Sequence, residues 1–353
     1  IFKKSLIIFT LIIGSSIFSL VVIDYLGFLF FRPDYFSNRY NYPPYLFSND
    51  NQIGFTLTKN FDGIHRFQDY EYNTFTNSYG CFDYEVINKT GLNLTLGDSH
   101  AWGYVSHGER FSERYSDLVN EESLNCATTG SSPKHQLEIL NRLYKNGFQF
   151  NNVFYLYTLY NDFEGDLLFP QYSVRKGYRV NKHVFDKDGK KSIYDFESEN
   201  KFKTKLFIYK SIISKNYFLR KVYKYYKMKK NKSSSIQPSK VLKKPVLNLN
   251  DLKLKNKYYQ HLETILQINR IVENHGGTFI IIKVPKSDRA LSMTNFHKEY
   301  RYAETLFDQY MKTNSIKNLI IEPNYEYRYK YNGHLNQEGH MKIALELYKY
   351  TAQ

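Results

Sequence analysis

The chain is poor in cysteine, in tryptophan and in several common catalytic signatures. Cys81 and Cys126 are its only cysteines, and no C-x-x-C occurs. That excludes a thiolate metal cluster and a dithiol redox motif, and leaves at most one disulfide. No G-x-S-x-G elbow is present, which argues against an α/β-hydrolase. Neither a Walker loop nor a glycine-rich dinucleotide fingerprint appears, so those phosphate cradles are excluded. Asp98-Ser99-His100 contains the D-x-H of binuclear metallophosphoesterases. The Asn-His-Asp and Gly-His-x-His runs that complete such a site are missing, so a metal centre is not expected. No cofactor is expected either.

Acids are scarce. Against 49 Lys and Arg the chain has 34 Asp and Glu, a formal charge of +15. The imbalance concentrates in residues 201–257, where "FLRKVYKYYKMKKNKSSSIQPSKVLKKP" holds hardly an acid. Tyr223, Tyr225 and Tyr226 there would fit stacking on nucleic acid. Beside a membrane, a basic segment more simply meets anionic headgroups or an acidic polysaccharide, or serves as a solvated lid.

A membrane is expected because charge is also missing at the start. From Ser5 to Phe31 the only charged residue is Asp24, and the run exceeds the roughly 20 residues that span a bilayer. Residues 1–32 are therefore read as an uncleaved anchor, although Gly14-Ser15-Ser16 imitates a cleavage site. Lys3 and Lys4 before the run and Arg32 and Arg39 after it nearly balance. The large domain is expected on the extracytoplasmic side, where Cys81 and Cys126 could pair.

What the chain does have is aromatic bulk, 34 Tyr and 27 Phe, and 353 residues over which to bury it. Residues 33–88 read as a connector and lead-in without periodicity, with a turn around Gly80. Beyond it, apolar strands alternate with helix patterns. Strands are expected at "LNLTL" (92–96), "SLNCAT", "NNVFYLYTLY", "GTFIIIKVP" and "IKNLIIEP". Helices are expected at "FSERYSDLVNEE", at "SPKHQLEILNRLYKNG" with Ser132 as N-cap and Pro133 at its first position, from about Lys255 to His275, at "NFHKEYRYAETLFDQYMKT" and at "LNQEGHMKIALELYKY". This predicts an α/β three-layer sandwich with a five-stranded parallel sheet. It occupies residues 89–163 and 255–353, and residues 164–254 form a basic insertion.

In such a sheet, ligands bind at the carboxyl ends of the strands. Polar residues collect there: Ser99 after the first strand, Gly130 after the second, Asn161 after the third and His334 after the fifth. A serine hydroxyl needs a base to become a nucleophile. His334, with an ordinary pKa of about 6.5, is the candidate. The Ser99 N–H, the Gly130 N–H and the Asn161 amide are candidate donors to an oxyanion. Asp98 caps or ties the loop. Alternatively, Ser99 serves only as an N-cap for a helix starting near His100. His340 is read as a surface or packing residue.

"GDSHAWG", "NCATTGSS", "LYNDF" and "GHLNQEGH" resemble, in order, the blocks of the SGNH/GDSL hydrolase superfamily. "NSYGCFDYE" and "IIIKVPK" resemble its bacterial membrane-anchored members. The resemblance implies the flavodoxin-like SGNH fold, Ser99 as nucleophile, His334 as base, and an oxyanion hole of Ser99, Gly130 and Asn161. It implies an ester-directed reaction, a serine esterase or acyltransferase acting on O-acylated envelope glycan or lipid. His100, Trp102 and Asp162 are candidate substrate-binding residues. Two positions depart from the pattern. Tyr160 stands where the family usually has Gly. Asn332 stands where it usually has the acid that orients the histidine. Asn332 itself, a backbone carbonyl, Glu322 or Glu326 could orient the ring, or the chain could be a catalytically weakened or inactive SGNH-fold protein that binds glycan or assists polysaccharide assembly.

Overall fold

A computed structural model describes residues 2–31, 42–43, 45–67, 70–175, 178–181, 183–185, 191–193, 249, 251–284, 297–321, 324, 326–329 and 333–352. Glu322, Tyr331, Asn332 and the Lys-rich part of the insertion lie outside them. The chain divides into two units, residues 1–37 with 184–244, and residues 38–183 with 245–353.

In the first unit, Phe2–Phe31 forms one helix, α1. Side chains 8–22 of it are exposed, isoleucines and phenylalanines included. Among the described residues, no helix is long and apolar enough to cross a membrane.

The second unit begins with two hairpins. Strands β1 (Phe47–Asp50) and β2 (Gly54–Leu57) pair antiparallel, as do β3 (Asp62–Phe67) and β4 (Tyr70–Phe75). Then follow β5 (Thr90–Gly97), the single turn α2 (Ser99–Trp102), α3 (Phe111–Val119), β6 (Ser123–Asn125), α4 (Pro133–Lys145), β7 (Gln149–Tyr157) and α5 (Leu159–Leu167). Next comes the hairpin of β8 (Tyr172–Arg175) and β9 (Tyr178–Asn181). The short pair β10 (His183–Phe185) and β11 (Lys191–Ile193) belongs, His183 apart, to the first unit. The chain closes with α6 (Leu252–Asn274), β12 (Thr278–Lys283), α7 (His297–Thr313), β13 (Lys317–Ile320) and α8 (Gln337–Thr351).

Five of these strands make one sheet in the order β13-β12-β7-β5-β6. Every pairing in it is parallel. The expected three-layer fold is therefore present, with the flavodoxin-like strand order. The period-two alternation of β7 divides the core. Val153, Tyr155 and Tyr157 face one cluster with Leu140, Leu262 and Phe307 from α4, α6 and α7. Phe154 and Leu156 face the other, with Phe111, Tyr115, Ile343 and Leu347 from α3 and α8. Full burial of each such side chain contributes about 1.5–3 kcal/mol.

The lead-in is more ordered than its sequence predicts. Its hairpins close a third cluster, in which Phe47, Phe55, Tyr72 and Phe82 pack with Trp102 and Tyr104. Its period-two signal is weak because each strand is short and both faces carry aromatics. A disulfide fastens it: Cys81 pairs with Cys126, just past β6, across a sequence separation of 45. Closing a loop of that size restricts the unfolded chain by about 4 kcal/mol in the chain-entropy model. The double variant Cys81→Ser/Cys126→Ser should lose about 2–4 kcal/mol of stability. Urea unfolding with and without reductant checks this. An unchanged midpoint would show that the bridge constrains nothing the rest of the fold does not already hold.

Candidate active site

Gly97 ends β5 at φ +137, and a Cβ there would meet Ala101 Cβ and the Leu156 carbonyl oxygen at 2.8 Å each. Only glycine lets the strand turn this sharply into α2 while lying against β7. Asp98 caps α2, its Oδ1 accepting the His100 N–H at 2.8 Å. Ser99 is therefore the first residue of the turn and not its cap, which removes the purely structural reading of Ser99.

The Ser99 Oγ lies 2.7 Å from His334 Nε2, across 235 residues of sequence. The His334 ring is clamped. It stacks on the His100 ring at 4.5 Å between centroids and meets Tyr104 edge-on at 4.7 Å. Tyr104 is held in turn: its OH pairs with the Tyr42 OH at 2.6 Å, and its carbonyl accepts the Tyr329 OH at 2.8 Å. Enclosure is the main reason that the His334 pKa falls from 6.5 to about 3, with the Arg328 guanidinium adding to it. Arg328 itself donates to the carbonyl of Gly333, next to the histidine.

Gly130 sits at φ +71 in a turn closed by the Ser131 N–H on the Thr128 carbonyl, 3.1 Å. That turn is tied to the strand that leads to Ser99. The Gly97 carbonyl accepts the Thr128 N–H at 3.1 Å, the Ser131 hydroxyl at 2.8 Å and the Gln136 amide at 2.9 Å. Asn161, in α5 beyond β7, donates one amide N–H to Asp98 Oδ2 at 3.0 Å. An amide nitrogen carries two such hydrogens, so Asp98 both caps α2 and sets the direction of the second. Burial raises Asp98 to about 6, against the N–H donors of His100 and Asn161, which lower it.

Two residues expected at the substrate sit elsewhere. Trp102 is fully buried, tilted against Phe82 at 4.3 Å, with its indole N–H on the Tyr72 oxygen at 3.3 Å. Asp162 is also fully buried, accepting the Tyr155 OH at 3.0 Å and the Thr158 N–H at 2.6 Å. Burial, then the neighbouring Asp98 charge, push its pKa well up. Of that expected set only His100 borders the Ser99–His334 pair. His340 is buried, its Nδ1 accepting the Phe111 N–H at 3.3 Å, as a packing residue would be. Tyr104, Gln136 and Arg328 escaped the sequence reading because none lies in a block that carries chemistry, and Ser131, inside the Gly130 block, because nothing in that block marks its hydroxyl as a tie to Gly97. Glu326 is exposed, and its described partner is Asn324.

Among the described residues, one group has the ligand atoms for a cation: Asp83, His107 and Glu113. Those atoms are already engaged. His107 Nε2 meets Asp83 Oδ1 at 2.7 Å, Arg110 donates to Glu113 at 2.8 Å, and the Asn125 N–H donates to Asp83 at 2.9 Å. The group ties the lead-in to α3 and β6.

The chain is similar to solved structures of the G-D-S-L lipolytic family. One is a member from Veillonella parvula, 11% identical, covering 75% of this chain and 99% of that one at a TM-score of 0.41. A carbohydrate acetylesterase family member from Sinorhizobium meliloti is 8% identical over 74% and 97%, at 0.38. The aryl esterase of M. smegmatis is 7% identical over 74% and 98%, at 0.38. No family model matches the chain, and no curated relative does.

The enclosed histidines carry a consequence for stability. His65, His334 and His340 have pKa values lowered to about 3 and His135 to about 4, burial being the first cause of each. Below about pH 6.5 the unfolded chain takes up protons that the folded chain refuses, so stability falls with pH. Asp98, raised to about 6, works the other way, since the folded state protonates it first. Asp162, Glu113 and Glu304, also raised by burial, act in the same sense as Asp98, so the histidine share is read by removing one histidine. His65→Gln should lessen the loss of stability between pH 7.5 and pH 5 by roughly 2 kcal/mol at most. Urea titrations of both proteins at the two pH values read the difference; an unchanged pH dependence would contradict a neutral, buried His65.

Proposed function

We propose that the protein is a serine-dependent esterase or acyltransferase. The observation that carries this reading is the 2.7 Å contact between Ser99 Oγ and His334 Nε2. His334 Nε2 accepts the hydroxyl proton as Oγ bonds to the acyl carbon. The carbonyl oxygen becomes an oxyanion, received by the N–H groups of Ser99 and Gly130 and by the Asn161 amide. The tetrahedral species collapses, the C–O bond to the alcohol breaks, and the proton on His334 passes to the departing oxygen. Water or a second hydroxyl then attacks the acyl-enzyme, and the same imidazole takes its proton.

The imidazolium formed in this cycle is costly. Enclosure and Arg328 both disfavour it, and the family's acid position holds Asn332, outside the described residues. The neighbouring oxyanion is the charge that compensates. This favours a reaction in which the cation and the oxyanion appear together.

The substrate we propose is an O-acylated envelope glycan or lipid, with an anchor at residues 1–32 that rests on the sequence run alone, and the second unit extracytoplasmic. A single charge between Ser5 and Phe31 supports the anchor. The Cys81–Cys126 disulfide supports an oxidising compartment. A second reading, a weakened enzyme that binds glycan, is favoured by Arg328 standing near the imidazole.

Three measurements separate these readings. A fluorophosphonate probe should label Ser99, and Ser99→Ala should abolish both labelling and hydrolysis of a small acetyl ester without loss of fold. An unlabelled, inactive wild type would establish the binding protein. Because His334 is a neutral base above its pKa of about 3, kcat/KM should stay within a few-fold between pH 7 and pH 5. An acid limb centred near 6.5 would mean an ordinary, solvated imidazole.

A further inference from the structure

Arg179 stands in β9, at the start of the insertion, yet it packs on the turn that carries Gly130. A Cβ added to Gly130 would lie 3.0 Å from Arg179 Nη1 and 3.2 Å from its Cζ. Nη1 donates to the Thr129 hydroxyl at 2.9 Å. Around the guanidinium stand four rings, with Cζ 4.5 Å from the Tyr172 centroid, 4.7 Å from Phe47, 5.1 Å from Phe55 and 5.4 Å from Tyr42. The rings stabilise a cation through their quadrupoles but do not neutralise it.

Two other arginines of this unit are paired with acids. Arg110 faces Glu113 at 2.8 Å, and Arg142 faces Asp50 at 2.6 Å and Glu138 at 3.1 Å. Among the described residues no carboxylate pairs with Arg179. A guanidinium carries five N–H donors in a planar fork and holds its charge at every working pH. Here one hydrogen bond is made, and the fork is fixed by aromatic walls on one side and the Gly130 turn on the other. A fixed, partly desolvated fork with donors to spare is suited to a planar or tetrahedral oxyanion.

We propose that Arg179 is a substrate-recognition residue. It binds an anionic group, a uronate carboxylate or a glycan phosphate, on the molecule whose ester is presented to Ser99. The inference deepens the reading of the site as ester-directed, because it assigns acidic glycans to it. It also accounts for the β8–β9 hairpin, which carries a charge to the rim of the sheet.

The test is made on binding, so that it stands apart from catalysis. Full-length Ser99→Ala protein is titrated by calorimetry with trigalacturonate, glucose 1-phosphate and neutral maltotriose. At least one anionic probe should bind ten-fold or more tighter than maltotriose, and the one that does identifies the group. Adding Arg179→Gln should erase that preference, and Arg179→Lys should keep part of it. Thr129→Val, which leaves the charge in place, should preserve the preference. Equal affinity for the three probes, or an anionic preference that survives Arg179→Gln, overturns the proposal. If Arg179→Gln unfolds, the preference of the Ser99→Ala protein in 50 mM against 500 mM salt decides: it should shrink at high salt, and a salt-independent preference overturns the proposal equally. An esterase failure would be seen separately, as a wild type that a fluorophosphonate does not label.

Discussion

The geometry of the site depends on one carbonyl. Gly97, the last residue of β5, offers its C=O to three donors at once: the Thr128 N–H, the Ser131 hydroxyl and the Gln136 amide. That ties the Gly130 turn to the strand that delivers Ser99. Two loops that belong to different strands are thus tied together. Any oxyanion hole assembled from them is preorganised by the backbone of the nucleophile strand itself, and needs no reorganisation when charge develops. On the other side, Asp98 does the same for Asn161. A side chain that sequence reading assigns to capping alone also orients the third donor.

Burial and the Arg328 guanidinium both disfavour a charged His334. The ring is placed by contact instead: stacked on His100, edged by Tyr104, and backed by the Tyr329 N–H on its own carbonyl at 3.0 Å. An acid in a triad both orients the imidazole and stabilises its charge. Here the aromatic clamp can supply the first of these.

Tyr104 and Trp102 link this clamp to the lead-in. The two hairpins, held by the disulfide, pack their aromatics on α2, and the same cluster surrounds Arg179. The lead-in is thus the wall of the site rather than a tether to it. Its stiffness is an indirect condition of the 2.7 Å contact.

The sequence by itself determined the sheet and where the candidate site residues lie along it. Val153 to Tyr157 and Phe279 to Ile282 are apolar on both faces, which only a strand covered by helices on two sides tolerates. Polar residues at the ends of such strands must therefore sit on one rim, and Ser99, Gly130, Asn161 and His334 were legible for that reason. The tertiary structure alone decided which of their neighbours matter. Trp102 and Asp162 flank the motif residues, yet helical and strand geometry turns them into the core. Tyr104, Arg328 and Arg179 carry no motif, and folding brings each against a reacting or receiving group. Spacing along the chain fixes which face a side chain takes within its own element. It holds no information about which distant ring or charge that face will meet, because such contacts are set by packing between elements.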